Sequence, residues 1–571
     1  MPKTPKISLE DIKDKHPSEM TRDELRVLIT QQVKEEEQAA WDEARRKFPD
    51  KLDVNRETPP PSYAIWQGLA PKEEKPKTYS IKQLSHYMHR NELGDLEMLL
   101  NVKRGKFCFD KKAGEWWRFD GVWRPDAVSD FGREVMNLAE HYDSAAKKQW
   151  KVVMNPKTVQ EGKLTEAKSL HKAFTSRAKS LRGSARRTSV MRTAVVGEES
   201  MAMSGEEWDK YPTLLAAQNG YVDLETGKLY PPDPKMFIRQ RSPYPYVGLH
   251  ARDPFFSDMV FKLLCGSHGL MSYVRKVIGY AATGLLTHKE FYAAFGPLGN
   301  NGKSMFFNAI CDVLGDYAAT LRTELLLEGK MQNNEDPFWI AMRDKRMAVA
   351  SEAKKGSKFS MDRIKLVTGA DTTVVRGLYE APTEIRMPCK LFLHTNYIPR
   401  AHGGDHAFMD RLRIIPFTAR FVNDAKMVNE EKHIYMGKPM NVIENKLKNA
   451  GPAILSYVVN GARMYLNGMD LTPPAEVQEY TKEYIEDADV IGEFLKMRCI
   501  LGENQKNQVK PLFSAFKAFC VQEKDKPEKA IPVFSSFVSD LVRRDGITKK
   551  TTNYAFFYGV SLRPEFQNEK Q

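Results

Sequence analysis

The chain has 571 residues, enough for about four domains, and its composition (42% hydrophobic, 10% aromatic, 28% charged) is that of a soluble globular protein with material for real cores. Lys and Arg number 87 against 74 Asp and Glu, and the resulting net charge of +13 favours a polyanionic partner. The six cysteines (Cys108, Cys265, Cys311, Cys389, Cys499, Cys520) form no C-x-x-C pair and sit beside no spaced histidine pair, so neither a zinc knuckle nor a disulfide framework is indicated. No run of 18 apolar residues and no apolar h-region occurs, so neither a membrane span nor a signal peptide is expected, and the expected location is the cytoplasm.

Residues 8–47 are charged and helix-prone, with Leu25, Val27, Leu28, Val33 and Trp41 as a sparse apolar face. The run Thr58 to Ser62 and the Lys/Glu/Pro stretch from Pro71 to Pro76 read as linker, making residues 1–78 a charged helical arm and linker. Residues 79–250 have a mixed α+β pattern. Trp116 to Trp123 predicts a hairpin turning at Asp120-Gly121, and Asn219 to Leu229 a second one turning at Glu225 to Gly227. Asp223 and Glu225 could form a metal-binding acidic pair, but the turn beginning at Glu225 favours a structural role. The Trp cluster likewise reads as hairpin core before base-stacking platform. Phe255 to Leu286 is predicted helical, residues 291–421 alternate short apolar strands with helices, and residues 425–470 are predicted helical. Beyond Pro473-Pro474, helices are expected over 476–502, 511–523 and Ser535 to Arg544, then a strand pair from Gly546 to Tyr558: a winged-helix pattern. The domain boundaries are thus 1–78, 79–250, 251–472 and 473–571.

The chemistry concentrates in the third of these. The apolar strand Phe291 to Phe295 runs into Gly296-Pro297-Leu298-Gly299-Asn300-Asn301-Gly302-Lys303-Ser304 and then a helix, the strand–loop–helix context of a phosphate-binding loop. Gly299 and Gly302 would let backbone N–H groups curl around phosphates, with Asn300 and Asn301 between them, Lys303 on the β- and γ-phosphates and Ser304 on Mg²⁺. Phe306, on the following helix, completes the predicted nucleotide contacts, and the consensus first glycine falls on Pro297, with Gly296 one residue early. The strand Met347 to Ala350 ends at Ser351-Glu352, where Glu352 is placed to activate water. Ser351 stands where a second carboxylate is usual, so Ser304 and Glu352 are the candidate Mg²⁺ residues. The strand Lys390 to Thr395 ends at Asn396, which could hydrogen-bond the attacking water or the γ-phosphate, and Asp410 to Phe417 puts Arg411 and Arg413 at the start of another strand.

The run from Phe291 to Phe417 resembles the motor of superfamily 3 helicases, particularly the poxvirus-type primase–helicase family of phages, satellites and plasmids. Its markers are Gly299 to Ser304, Ala350-Ser351-Glu352, Lys365 to Asp371, His394-Thr395-Asn396 and Arg411 to Phe417. The resemblance implies an AAA+-like P-loop core with a parallel sheet, preceded by an α+β domain and followed by a winged helix. It also implies a ring, usually a hexamer, with ATP at subunit interfaces and Arg411 as arginine finger on the neighbour's ATP, Arg413 being the second choice. The family places a DNA-gripping β-hairpin between Asp371 and Lys390; Thr373 to Arg376 and Ile385 to Met387 are the expected arms. Its turn carries no basic residue, leaving Arg376, Tyr379 and Arg386 as the DNA-binding candidates.

The leading expectation is therefore an ATP- and Mg²⁺-dependent DNA helicase acting on single-stranded and forked DNA, 3′ to 5′ by family resemblance, in the host cytoplasm or nucleoid. A binding protein that uses ATP only to assemble on an origin is the alternative, and a helicase half of a primase–helicase system is another. No acidic triad with a nearby His occurs in residues 1–250, so primer synthesis is expected from a separate protein, for which the N-terminal arm could be the docking site.

Overall fold

The computed structural model describes residues 78–571 apart from 156–159, 198–199, 330–335, 370–372, 377–381, 386, 388, 400–405, 524–530, 532, 543, 545, 552–553 and 568–571. The predicted helical arm of residues 1–78 therefore lies almost wholly outside the described residues. Two compact units divide the chain, Met1–Lys72 with Met464–Asp470, and Glu73–Arg463 with Leu471–Gln571. The second unit carries the site.

Its first part begins with α1 (Ile81–His89), opened by a capping box between Ser80 and Gln83, and α2 (Asn91–Lys103). Strands β1 (Phe107–Asp110), β2 (Glu115–Phe119) and β3 (Trp123–Pro125) follow, then α3 (Asp130–Met154), α4 (Glu161–Arg182), α5 (Ser184–Thr193) and β4 (Ala202–Met203). The helices close over Leu84, Leu99, Phe131, Tyr142, Phe174 and Leu181, while Trp117, Trp123 and Trp208 pack with Phe237 against the small sheet β3-β2-β1-β4. Of the three tryptophans of the predicted hairpin, Trp117 and Trp123 are buried core residues and the partly buried Trp116 stacks on Phe131.

Strands β5 (Leu214–Ala217), β6 (Gly220–Asp223) and β7 (Leu229–Tyr230) make a second antiparallel sheet. Asp223 serves its turn: its carboxylate accepts from the Glu225 amide at 2.9 Å and the Thr226 hydroxyl at 2.9 Å. Next come α6 (Pro254–Leu263) and α7 (His268–Ala282).

The central element is a parallel sheet of β8 (Phe291–Phe295), β9 (Ala318–Leu321), β10 (Met347–Ser351), β13 (Lys390–Thr395) and β14 (Leu412–Pro416), in the order β14-β8-β13-β10-β9. Between its strands lie α8 (Lys303–Leu314), α9 (Asp336–Ala341), α10 (Met361–Thr368), the antiparallel pair β11 (Thr373–Arg376) and β12 (Pro382–Ile385), and α11 (His406–Met409). Near-continuous apolar strands such as FYAAF and MAVAS follow from burial on both faces. The arrangement is that of a P-loop core.

At the strands' N-terminal edge two buried cations tie this sheet to the preceding region. Arg346 donates to the carbonyls of Ala282 (2.8 Å) and Leu214 (2.8 Å) and lies over the Tyr317 ring. Lys390 donates to the Thr283 carbonyl and lies over Tyr280.

Beyond β14 the sequence expectation needs correction. Residues 425–439 contain no α-helix: short 3-10 turns at Ala425–Met427 and Glu430–Lys432 lead to β16 (Ile434–Met436), which pairs in parallel with β15 (Arg420–Val422), and the α-helices begin only with α12 (Met440–Asn449) and α13 (Gly451–Gly468). The helix expected over 476–502 is α14 (Ala475–Ala488) and α15 (Val490–Arg498), after which the chain becomes a strand, β17 (Cys499–Gln508). Then come α16 (Val509–Gln522), α17 (Phe534–Val542), β18 (Thr548–Thr551) and β19 (Ala555–Leu562), with sheet order β17-β19-β18 over a core of Phe494, Phe516, Phe519, Phe537 and Phe557. The Thr481 hydroxyl of α14 accepts from the Ile414 amide at 2.9 Å, fastening this region to edge strand β14. Among the described residues no helix is long and apolar enough to cross a membrane.

Helices α7 and α13 approach through glycines. A Cβ on Gly279 would stand 1.9 Å from the Ala462 backbone nitrogen, and one on Gly461 would stand 2.1 Å from the Arg275 carbonyl oxygen. Since the obstacle is backbone, the helices must separate to admit a methyl group. Gly279→Ala should destabilise by about 1–3 kcal/mol, the usual range for overpacking, read as a lowered urea midpoint against a Gly269→Ala control.

Candidate nucleotide-binding site

Parallel strands deliver their C-terminal ends to one edge, and three of these ends meet here. The loop after β8 (residues 296–302), the end of β10 and the end of β13 line a cavity of about 510 Å³ that includes Gly299, Asn300, Asn301, Gly302, Lys303, Ser304, Glu352, His394, Thr395 and Asn396. Gly302 caps α8 at φ 72°, and a Cβ there would meet the Leu263 side chain at 2.5 Å. Gly296 is sterically required as well. A Cβ would lie 2.0 Å from Asn301 Nδ2 and 2.8 Å from Lys303 Nζ, which explains a glycine one residue before the consensus position. Gly299 has nothing within 4 Å of its Cβ position.

Lys303 is 4% exposed. Its ammonium donates to Asn301 Oδ1 at 2.8 Å, Asn396 Oδ1 at 2.9 Å and the Gly296 carbonyl at 3.3 Å. Burial lowers its pKa to about 8, against a smaller opposing effect of the Glu352 charge. Asn301 is held in turn by donating to the Leu298 carbonyl at 2.7 Å. His394 stacks on Phe307 with ring centroids 5.8 Å apart. Burial first and the Lys303 charge second lower its pKa to about 4, so it is neutral at ordinary pH.

Glu352 follows β10 with φ 53°, and its amide donates to the His394 carbonyl at 3.1 Å. Its carboxylate is exposed to the cavity it shares with Ser304. Mg²⁺ usually takes one or two protein oxygens and completes its shell with phosphate and water, so one hydroxyl and one carboxylate lining one cavity suit a metal that arrives with a nucleotide. Among the described residues no group of three or more His, Cys, Asp or Glu is placed to hold a metal by itself.

Three predicted positions need comment. Phe306 is 1% exposed, packs against Phe256 and Phe307, and does not line the cavity. It belongs to the stripe Phe306, Phe307, Ile310 and Val313 that α8 buries, and supports the loop from beneath. Arg411 stands just before β14, whose first residue pairs with Phe291, whereas the phosphate loop leaves from Phe295. Five strand residues, roughly 16 Å, separate the two ends, so Arg411 does not reach its own chain's cavity; its Nε donates to Thr368 Oγ1 at 3.3 Å. Arg413 pairs with Glu290 at 2.7 Å.

The expected hairpin has arms Thr373–Arg376 and Pro382–Ile385, with Arg376 opposite Pro382. The second arm comes earlier than the expected Ile385 to Met387 because Met387 is already buried in the core of the parallel sheet. Tyr379 and Arg386 lie outside the described residues.

Sequence reasoning passed over the far wall of the cavity: Phe255 and Met259 from α6, Phe421 from β15, Met436 from β16, and Met440 and Ile443 from α12. These apolar residues come from four separated segments and form no motif. Apolar and methionine-rich, they are suited to contact an apolar part of a ligand such as a nucleoside.

The chain is similar to known proteins in two regions and over parts of several relatives. Residues 96–264 match the family model described as D5 N terminal like, and residues 294–411 match a family of unknown function (DUF5906). The chain is 24% identical over 310 residues to "Putative helicase L207/L206" of Acanthamoeba polyphaga mimivirus, a match covering 53% of this chain and 32% of that protein. It is 28% identical over 123 residues to "Primase D5" of Fowlpox virus (strain NVSL), covering 21% of this chain and 15% of the relative. These matches span no more than about a third of the curated relatives' length. The apo structure of the NrS-1 C terminal region (305-718) superposes on 83% of this chain and 100% of that chain, at 9% identity and a TM-score of 0.39.

The buried Lys303 gives a pH prediction. Below about pH 8 the ammonium is already formed and meets phosphate at no extra cost; above it, binding must also take up a proton. Affinity for a fluorescent ATP analogue should therefore fall as pH rises from about 7 to about 9, while Lys303→Ala should bind weakly throughout without that dependence.

Through its D5 N terminal like match at residues 96–264 and its DUF5906 match at residues 294–411, the chain joins a set of distant homologues that includes viral proteins named as putative helicases and a viral protein named Primase D5.

Proposed function

We propose that the chain is the ATP-hydrolysing motor of a ring-forming DNA helicase, with an AAA+-like core and a C-terminal winged helix, serving replication of a phage, plasmid or satellite element. The observation that carries this reading is the convergence on one cavity of a phosphate-loop lysine, a carboxylate and a strand-end asparagine that already holds the lysine. Lys303 would bind the phosphates, Glu352 would take a proton from the attacking water, and Asn396 would orient that water or the γ-phosphate. Mg²⁺, held by Ser304 and the nucleotide, would neutralise charge on the phosphates.

Numbering the five parallel strands in chain order, the sheet runs 5-1-4-3-2, which supports the AAA+ assignment. The distance of Arg411 from its own cavity supports hydrolysis that depends on a neighbouring subunit, as an arginine finger in trans requires. The β11–β12 pair is the proposed grip on single-stranded DNA, with Arg376, Tyr379 and Arg386 the candidate contacts by sequence and 3′ to 5′ movement following from superfamily resemblance. The C-terminal order helix–strand–helix–helix–strand–strand, with sheet order β17-β19-β18, supports the winged helix.

Hydrolysis by the wild type should be stimulated by single-stranded DNA, and a duplex with a 3′ tail should be unwound. Lys303→Ala should lose both activities, and Glu352→Gln should keep nucleotide binding while its turnover falls about 100-fold or more. Arg411→Ala should be inactive alone, yet recover part of its hydrolysis when mixed with Glu352→Gln, because an interface between the intact Glu352 of the first and the intact Arg411 of the second is complete. A wild type that binds ATP and forms rings without hydrolysis or unwinding would replace the motor with an ATP-assembled origin binder.

A further inference from the structure

The face by which a winged helix ordinarily meets DNA is poorly suited to that task in this chain. The second helix of its helix pair, α17, reads FSSFVSDLV, with no Lys or Arg and one Asp. Its exposed positions include Phe534, Ser535 and Val542. Arg544, just beyond it, is tied to Asp489 and Asp540, and Arg543 lies outside the described residues.

The opposite side of the domain has the chemistry that α17 lacks. Directly paired residues of an antiparallel sheet project to the same face. Lys506 and Thr548 both pair with Tyr558, and Gln508 and Lys550 both pair with Phe556. The intervening Phe557 is fully buried against the helices, so these six residues occupy the outer face. None of the six is acidic. Two aromatic rings stand on the central strand with a lysine on each side. Lys506 Nζ lies 4.1 Å from the Phe556 ring centroid and 5.2 Å from that of Tyr558, and Lys550 Nζ lies 5.4 Å from the latter. The lysines themselves are exposed, and Phe556 and Tyr558 are only partly covered.

We propose that this outer sheet face, centred on Phe556 and Tyr558, binds single-stranded nucleic acid. The two rings would stack unpaired bases, a contact that every base can make. Lys506 and Lys550 would swing from the ring faces to the phosphates on either side, and a cation on a flexible stem needs no backbone movement to do so. Duplex DNA, whose bases are already stacked, could use the lysines but not the rings. The surface is sheet, not groove, and so resembles in principle the aromatic sheet platforms that display single strands. It would give the chain a second hold on a strand outside the motor and independent of ATP.

The test uses the full chain without nucleotide, with fluorescein-labelled oligo-dT followed by anisotropy. Lys506→Gln/Lys550→Gln should weaken binding about five- to tenfold and flatten the dependence of log affinity on log salt by about 1.4, or ~0.7 per phosphate contact. Tyr558→Leu should weaken oligo-dT about fivefold or more and leave duplex binding unchanged. Ser535→Glu, on α17, should change neither. Ultraviolet crosslinking of an oligonucleotide carrying 5-iododeoxyuridine, mapped by mass spectrometry, should mark Phe556 or Tyr558. Adducts on α17, or weakening by Ser535→Glu but not by the lysine pair, would overturn the proposal in favour of the helix. Equal losses for single strands and duplex in Tyr558→Leu would overturn the stacking role. Circular dichroism of each variant separates loss of binding from loss of fold. Loss of ATPase in Lys303→Ala leaves every one of these readouts in place, so this proposal and the motor fail separately.

Discussion

A lysine ammonium buried without a touching carboxylate is the constraint around which the candidate site is organised. Lys303 is almost wholly shielded from water, and an uncompensated charge there is costly. The protein answers with three neutral oxygens, from Asn301, Asn396 and Gly296. Each is fixed by a different device: Asn301 by its bond to Leu298, Asn396 by its place at the end of β13, and Gly296 by a contact that tolerates no side chain. Neutral oxygens hold a cation less strongly than a carboxylate does, so the lowered pKa records an interaction left incomplete.

The opposite edge of the same sheet solves the same problem differently. Arg346 and Lys390 are also buried, and burial depresses both their pKa values. They are saturated from within, by carbonyl dipoles at Ala282, Leu214 and Thr283 and by the faces of Tyr317 and Tyr280. These bonds cross to segments far away in sequence and make the back of the sheet a fixed joint with the preceding region. One edge is thus closed by the protein and the other is open to a ligand, and the parallel strands set the distance between them.

Legibility of these elements follows burial. Strands β8, β10 and β13 are apolar runs because both their faces are covered; β8 runs into the glycine loop, and β10 and β13 run into polar residues that line the cavity. Strand β17, CILGENQKNQ, is mostly polar and solvent-facing, so it carries no alternating signal and reads as helix continuation. The short pair β15–β16 is three residues a side and lies in a stretch expected to be helical, although it brings Phe421 and Met436 to the cavity. Phe306 shows the reverse error. Its nearness in sequence to Lys303 suggested a nucleotide contact, but the apolar stripe of α8 carries it into the core.

By itself the sequence determined the phosphate loop, the strand-end Glu352 and Asn396, and the parallel class of the core, because glycines, apolar runs and their polar ends are local signals. Tertiary structure alone decided that Asn396 reaches Lys303 across 93 positions, that Arg411 lies at the far end of the sheet from its own cavity, and that Phe556 and Tyr558 share an outer face with two lysines. Each of these depends on strand order and register, which are set by pairing between distant segments and leave no mark in the residues around any one of them.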